Sequence, residues 1–219
     1  MQGNIAIDGP AGAGKSTVAK KLAKKLGYIY IDTGAMYRAI TWKALKENIN
    51  ISNKSALAEL AQRTEIVIKN IGDEQKIFCD GEDVTVDIRS PEVSKKVSLV
   101  AQVPGVRKRL QEIQKEMAKY NNVVMDGRDI ATIVLPDAPY KFYLTASVQE
   151  RAYRRHKELL GKGYKSDLES IQREISERDR LDQERTESPL MKAPEAIEID
   201  TSKMTIKEVL NKIMQHLER

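Results

Sequence analysis

The sequence predicts an α/β fold, a five-stranded parallel sheet flanked by helices. Short apolar or β-branched runs recur at Ile5-Ala6-Ile7, Tyr28-Ile29-Tyr30-Ile31, Val123-Val124-Met125, Tyr140-Lys141-Phe142-Tyr143-Leu144 and Ala196-Ile197-Glu198-Ile199. Helical patterns separate them, the alternation that lays strands parallel. The first run leads directly into Gly9-Pro10-Ala11-Gly12-Ala13-Gly14-Lys15-Ser16, a complete phosphate-binding loop in the place such a loop must occupy.

Each residue type in that loop has a physical task. Glycines at 9, 12 and 14 admit positive φ and turn backbone N–H groups toward phosphate, Lys15 reaches the β and γ oxygens, and Ser16 can ligate Mg²⁺. Gly9 to Thr17 is therefore the expected nucleoside-triphosphate-binding segment. Behind it, Val18, Ala19, Leu22, Ala23 and Leu26 keep helical spacing up to Gly27, a C-cap glycine. Asp32, Asp126 and Thr145 to Ser147 each follow a later strand. In a doubly wound sheet ligands bind beyond the carboxyl ends of the strands, so these residues fall at one edge with Lys15.

The alternation breaks between the second and third strands. Ile66-Val67-Ile68, the turn Asn70-Ile71-Gly72-Asp73, Lys76-Ile77-Phe78-Cys79 and Asp80-Gly81 read as a small antiparallel meander, which places an insertion at about 60–98. The basic stretch from Glu150 through Arg151, Arg154, Arg155 and His156 to Gly161-Lys162-Gly163 reads as a short lid, about 151–165. Thr205 to Leu217 reads as a helix packed on the last strand.

Composition narrows the class. The 219 residues fit one domain, with 41% hydrophobic and 32% charged residues. No apolar run approaches the ~18 residues of a membrane span, and Met1 to Asp8 lacks a basic region followed by an apolar one, so a cytoplasmic protein without membrane partners is expected. One cysteine, Cys79, forms no internal disulfide, and two histidines, His156 and His216, build no typical zinc site. A net charge of +5 favours anionic partners. With two Phe and one Trp there is no stacking pattern for nucleic acid, so a mononucleotide partner is expected. The protein is expected to be a monomer, though the sequence itself does not fix the oligomeric state.

Asp32-Thr33-Gly34-Ala35-Met36-Tyr37-Arg38, Asp126-Gly127-Arg128-Asp129 and Arg178-Asp179-Arg180-Leu181-Asp182-Gln183-Glu184-Arg185, together with the loop, resemble the bacterial cytidylate kinases over essentially the whole chain. The resemblance implies a P-loop kinase fold in which the insertion is the nucleoside-monophosphate (NMP) binding region. It implies direct, Mg²⁺-assisted transfer from ATP to CMP or dCMP, giving CDP or dCDP. It places cytosine contacts on Ser98, Arg107 and Asp129, acceptor-phosphate contacts on Arg38, Arg128 and Arg185, and sugar contacts on Arg178 and Asp182. Thr33, also in the implied substrate-binding set, falls where many relatives have serine, and Arg154 and Arg155 fall in the mobile lid. Lys15, Arg128, Arg185, Arg154 and Arg155 are thus the implied catalytic set, with Ser16 as the metal ligand. Cytosine offers an amine at N4 and acceptors at N3 and O2, which a carboxylate and a guanidinium complement; uracil reverses N4 and N3.

The residues alone leave alternatives open. Arg128 and Asp129 read equally as an ion pair at a strand end, Arg107 as a solvated helix charge, and Arg38 as the partner of an acidic neighbour. Arg178, Asp182 and Arg185 fall on one helix face at i, i+4 and i+7, where a salt-bridge row contributes only ~0.2–0.5 kcal/mol per pair. Asp32 either tunes the metal site or caps the helix beginning near Gly34. Three rival activities compete: a small kinase acting on UMP, AMP or a metabolite hydroxyl, with Asp32 as base; a GTP-hydrolysing switch, for which the chain lacks Asn-Lys-x-Asp; and a nucleic-acid-binding module with strongly salt-dependent affinity.

Overall fold

The computed structural model describes residues 3–71 and 74–217. The turn expected at Gly72-Asp73 lies outside the described residues. Strand β1 (Ile5–Asp8), buried throughout, passes through the glycine-rich loop into helix α1 (Lys15–Leu26). Gly27 closes α1 at φ 68° and returns its N–H to Ala23 O, as a C-cap glycine does. Strand β2 (Ile29–Asp32) and helix α2 (Thr33–Lys46) follow. The chain then leaves the sheet through α3 (Lys54–Arg63), β3 (Ile66–Ile71), β4 (Glu74–Cys79), β5 (Glu82–Asp83), α4 (Pro91–Val100) and α5 (Pro104–Lys119). It returns as β6 (Val123–Asp126), β7 (Tyr140–Thr145), α6 (Val148–Gly161), α7 (Leu168–Glu184), β8 (Ile197–Asp200) and α8 (Ile206–Leu217).

The five-stranded sheet has the order β2-β6-β1-β7-β8 and is parallel throughout. β1 lies at its centre, so the glycine-rich loop opens where the strand order reverses, the crevice of a doubly wound sheet. All five strands run one residue past the apolar runs that predicted them, to Asp8, Asp32, Asp126, Thr145 and Asp200. Apolarity marks the buried stretch, whereas the hydrogen-bond ladder continues to the polar residue at each strand end. β3, β4 and β5 form a separate antiparallel sheet, with Ile66 opposite Cys79 and Ile68 opposite Ile77.

Alternation along β1 divides the core. Ile5 and Ile7 face α1 and α8, where Val18, Leu22, Val209 and Ile213 pack against Phe142 and Ile199, while Ala6 faces the opposite side with Met125 and Val134. Thr205 and Glu208 cap α8 reciprocally: Glu208 N donates to Thr205 Oγ1 at 3.3 Å, and Thr205 N donates to Glu208 Oε2 at 2.7 Å. A second core joins Met36 and Ile40 of α2 to Leu57, Leu60, Ile77, Val97 and Leu110. It gives the segment between β2 and β6 an apolar interior of its own.

Candidate active site

Gly9, Gly12 and Gly14 take φ values of 141°, 80° and 89°, the left-handed region that favours glycine. At Gly9 the need is also steric, since a Cβ there would lie 1.9 Å from Leu144 O. The loop they shape, with Pro10, Ala11 and Ala13 between them and Thr17 just beyond, turns around Lys15. Lys15 is buried and its Nζ donates to Pro10 O at 2.8 Å. Burial, with Arg128 and Arg178 nearby, lowers its pKa to about 7, against the opposing pull of Asp126 and Asp8.

Asp126, the last residue of β6, organises the floor. Its Oδ2 accepts from Ser16 Oγ at 2.8 Å and its Oδ1 from Tyr30 Oη at 2.9 Å. Burial and the neighbouring Asp32 raise its pKa to about 6. Thr33 Oγ1 donates to the Asp126 carbonyl at 2.7 Å. That approach needs Gly127, where a Cβ would stand 2.7 Å from the same hydroxyl. The Thr33 hydroxyl is thus spent on backbone.

Asp32 resolves as a helix cap. Its Oδ1 accepts from Ala35 N at 3.0 Å and its Oδ2 from Arg89 Nη2 at 2.9 Å. Both oxygens of the carboxylate that a hydroxyl acceptor would need as its base are therefore engaged.

The remaining predicted residues fall into two groups. In the first, Arg107 Nη2 donates to Asp129 Oδ2 at 2.6 Å, with both side chains buried, and the guanidinium lies 5.3 Å from the centre of the Tyr37 ring. Ser98 is buried on α4. Neither Arg107 nor Asp129 is the solvated charge the residues alone permitted. In the second, Arg128 Nε donates to Asp182 Oδ2 at 2.8 Å, and Arg185 Nη1 stands 3.6 Å from Asp182 Oδ1. Burial alone would raise the Asp182 pKa, but Arg128, Arg178 and Arg185 hold it below the usual carboxylate range. Arg38 donates to Ile88 O at 3.2 Å and Ser94 Oγ at 2.9 Å. Burial, then Arg178 and Arg89, lower its pKa.

Arg185 corrects one expectation. It lies just past the end of α7 as its C-cap, with extended φ −64° and ψ 140°, so it does not continue the helical face of Arg178 and Asp182. It reaches Asp182 because the chain turns back, with Leu190 N donating to Asp182 O at 2.7 Å.

The two arginines of the expected lid diverge. Arg154 donates to Thr201 Oγ1 at 3.0 Å and Thr201 O at 2.6 Å, on the Gly14 side of the loop. Arg155 donates to Glu158 Oε2 at 2.8 Å, and its charge reaches Arg38 and Arg178.

Four residues outside the predicted set bear on the site. Arg151, buried, donates to Ala146 O at 2.8 Å, Ala11 O at 3.1 Å and Asp179 Oδ2 at 2.6 Å. Asp8 accepts from Ile130 N at 2.9 Å and Ala131 N at 2.8 Å, which fixes the turn that follows Asp129. Gln111 donates to Asp129 Oδ2 at 2.8 Å, and Arg89 holds Asp32. Gln111 stands one helical turn after Arg107, the only sequence signal that could have found it. The other three read as an ordinary strand end and solvated charges.

Lys15, Arg38, Arg128 and Arg178 lie close together, and burial first, then repulsion among them, depresses the pKa values of Lys15, Arg38 and Arg178. Arg178 Nε and Arg185 Nη2 are buried there with no hydrogen-bond partner among the described residues. Buried cationic donors without partners suit an anionic, multiply oxygenated ligand such as phosphate. An oxygen set of Ser16 backed by Asp126 suits a hard cation.

The family model for cytidylate kinase matches residues 5–219. A cytidylate kinase of Desulforamulus reducens is 57% identical, covering 98% of this chain and 96% of the relative. One of a Geobacillus species is 54% identical, covering 96% and 94%. Among solved structures, a gluconokinase from Sinorhizobium meliloti superposes with a TM-score of 0.50 at 19% identity, covering 99% of this chain and 92% of that one, a likeness of fold alone. An uncharacterised protein from Eubacterium ventriosum superposes at 0.54 with 15% identity, covering 99% of each chain. The fold, the glycine-rich loop and the relatives agree, and the chain belongs to the cytidylate kinase family of nucleoside-monophosphate kinases.

Proposed function

We propose that the protein transfers the γ-phosphoryl group of ATP to CMP and dCMP, giving ADP with CDP or dCDP. The observation that carries the cytosine reading is the buried Arg107–Asp129 pair. Asp129 Oδ2 takes Arg107 and Gln111, while Oδ1, among the described residues, keeps only Arg185 Nη2 at 3.9 Å and remains able to accept from an exocyclic amine. Uracil presents a carbonyl oxygen to that carboxylate, and an acceptor facing an acceptor in a buried site is strongly rejected.

The acceptor is a phosphate oxygen already ionised at neutral pH, so the reaction needs alignment and charge neutralisation and no general base. Lys15 holds the β and γ phosphate oxygens, Arg38, Arg128 and Arg185 hold the acceptor phosphate, and Arg178 with Asp182 hold the sugar. Arg154 and Arg155, in a lid at about 151–165, close over the transferring group, and the segment 60–98 is the NMP-binding insertion. Gly9 to Thr17 hold ATP, and Ser16, backed by Asp126, would hold Mg²⁺, which when bound neutralises phosphate charge. No helix of the described residues is long and apolar enough to cross a membrane. We place the protein, as a monomer, in the cytoplasm with no nucleic-acid partner. A coupled ADP-release assay across CMP, dCMP, UMP, AMP and GMP tests the reading: turnover should be fast with CMP and dCMP, and equal or greater kcat/KM with any other acceptor overturns it.

A further inference from the structure

We infer that Gln111 and Ser188 form a clamp that sets base specificity and couples it to the phosphate arginine Arg185. The inference rests on the assignment of Asp129 as the base-reading carboxylate. Gln111 Nε2 lies 2.8 Å from Asp129 Oδ2 and 3.0 Å from Ser188 Oγ. A carboxylate only accepts, so the amide must present its nitrogen, and this fixes the Gln111 orientation. Arg107 Nη2 occupies the same Oδ2 at 2.6 Å. Two donors on one oxygen fix the rotation of the carboxylate and leave Oδ1 as the face offered to the base. Either donor alone leaves the group free to swing.

Ser188 joins this reader to the phosphate side. It sits at φ 51°, a left-handed conformation uncommon for serine. Arg185 Nε donates to Ser188 O at 2.6 Å, so the same residue takes Gln111 on its hydroxyl and Arg185 on its carbonyl. Such an outlier persists only where its surroundings determine it, and here both surroundings are parts of the site. The segment after α7 therefore moves as one piece with Asp129. A base that satisfies Oδ1 holds Arg185 in place, and a base that repels it loosens Arg185 through Ser188. Gln111 is a positioning residue in this account and touches neither nucleotide.

The test is a kinetic comparison of the wild type, Gln111→Leu, Gln111→Glu and Ser188→Ala with CMP and UMP, alongside KM for ATP and the thermal midpoint. Gln111→Leu removes a hydrogen bond to a charged group and should lower the kcat/KM ratio of CMP over UMP by about tenfold or more. Gln111→Glu, which sets a second carboxylate against Asp129, should lower it further. Ser188→Ala should chiefly lower kcat for CMP, because Arg107 and Gln111 still hold the Asp129 carboxylate while the hydroxyl that joins Gln111 to the Arg185 segment is lost. KM for ATP should stay within about twofold of the wild type in all three. A residue that merely packs would change the midpoint and slow both acceptors equally, and that result with Gln111→Leu overturns the inference. Should Gln111→Leu fail to fold, Ser188→Ala decides: unchanged kcat for CMP overturns the coupling. A wild type that uses CMP and UMP equally overturns the base-reading assignment itself, which separates the two failures.

Discussion

Arg151 Nη2 stands 2.6 Å from Asp179 Oδ2, which pins α6, the helix of Arg154 and Arg155, to α7 beside Arg178. The same guanidinium donates to Ala11 O in the glycine-rich loop and to Ala146 O after β7. One buried side chain thus ties α7, the glycine-rich loop and the segment after β7 together.

Arg151→Ala leaves Asp179 and two carbonyls without their donor. Breaking a buried pair from one side costs about 3–5 kcal/mol, so the thermal midpoint should fall by many degrees. Unfolding of the ligand-free variant followed by circular dichroism checks this, and a midpoint equal to the wild type shows that the link carries no load.

Lys15→Ala should fold normally and lose about 10²–10³ in kcat, the usual effect of removing a preorganised charge from the transition state. Steady-state kinetics with CMP, paired with a circular dichroism spectrum, decide it. Near-normal turnover in a folded variant removes the loop from catalysis.

The parts legible in the sequence were those written locally. A loop, its preceding strand and its following helix occupy one continuous stretch, so Gly9 to Gly27 could be read without tertiary knowledge. The site's ion pairs could not. Arg107 and Asp129 lie on α5 and after β6, and each resembles a surface charge until the fold buries them against one another. Arg185 followed helical spacing on paper but lies past the helix end, because spacing does not reveal where a helix stops without a glycine or proline to mark it. Asp8 and the anchoring contacts of Arg151 are not legible because their partners are mostly backbone atoms, which no side-chain pattern announces.

Asp129→Asn replaces an acceptor-only group with one that also donates. The ratio of kcat/KM for CMP over UMP should fall by about tenfold or more, with UMP losing less than CMP. Competition between the two nucleotides measures the ratio directly, and equal slowing of both shows that Asp129 orients its loop without reading the base.

Asp8 predicts a pH dependence in the ligand-free protein. Burial raises its pKa from 3.8 to about 6, against the opposing pull of two backbone N–H bonds. Between those values the unfolded chain has released its proton while the folded one retains it, so stability falls as pH rises and levels off above about 6. The full difference is about 3 kcal/mol. Asp8→Asn should lose this component, so its stability relative to wild type should rise between pH 4 and pH 7. Urea unfolding of both proteins across that range measures it; parallel curves refute the assignment.

Asp182 separates a working carboxylate from a stabilising one. A salt-bridge row on an exposed helix face would contribute well under ~1 kcal/mol, and its loss would leave nucleotide kinetics alone. The carboxylate is instead 5% exposed, with Arg128 Nε 2.8 Å away and Arg185 within 3.6 Å. Asp182→Ala should therefore lower the thermal midpoint and, because a sugar hydroxyl loses its acceptor, reduce kcat/KM for CMP and dCMP by about tenfold or more. KM for ATP should change little. Asp182→Asn sharpens the distinction, since it keeps the shape and one acceptor oxygen but loses the charge that Arg128 and Arg178 balance. If that charge only steadies the arginines, Asp182→Asn loses stability and keeps its acceptor kinetics; if the carboxylate positions the nucleotide, both fall together. Thermal midpoints and acceptor kinetics on the two variants decide between them, and a midpoint shift with unchanged constants for CMP and dCMP in Asp182→Ala removes Asp182 from the site.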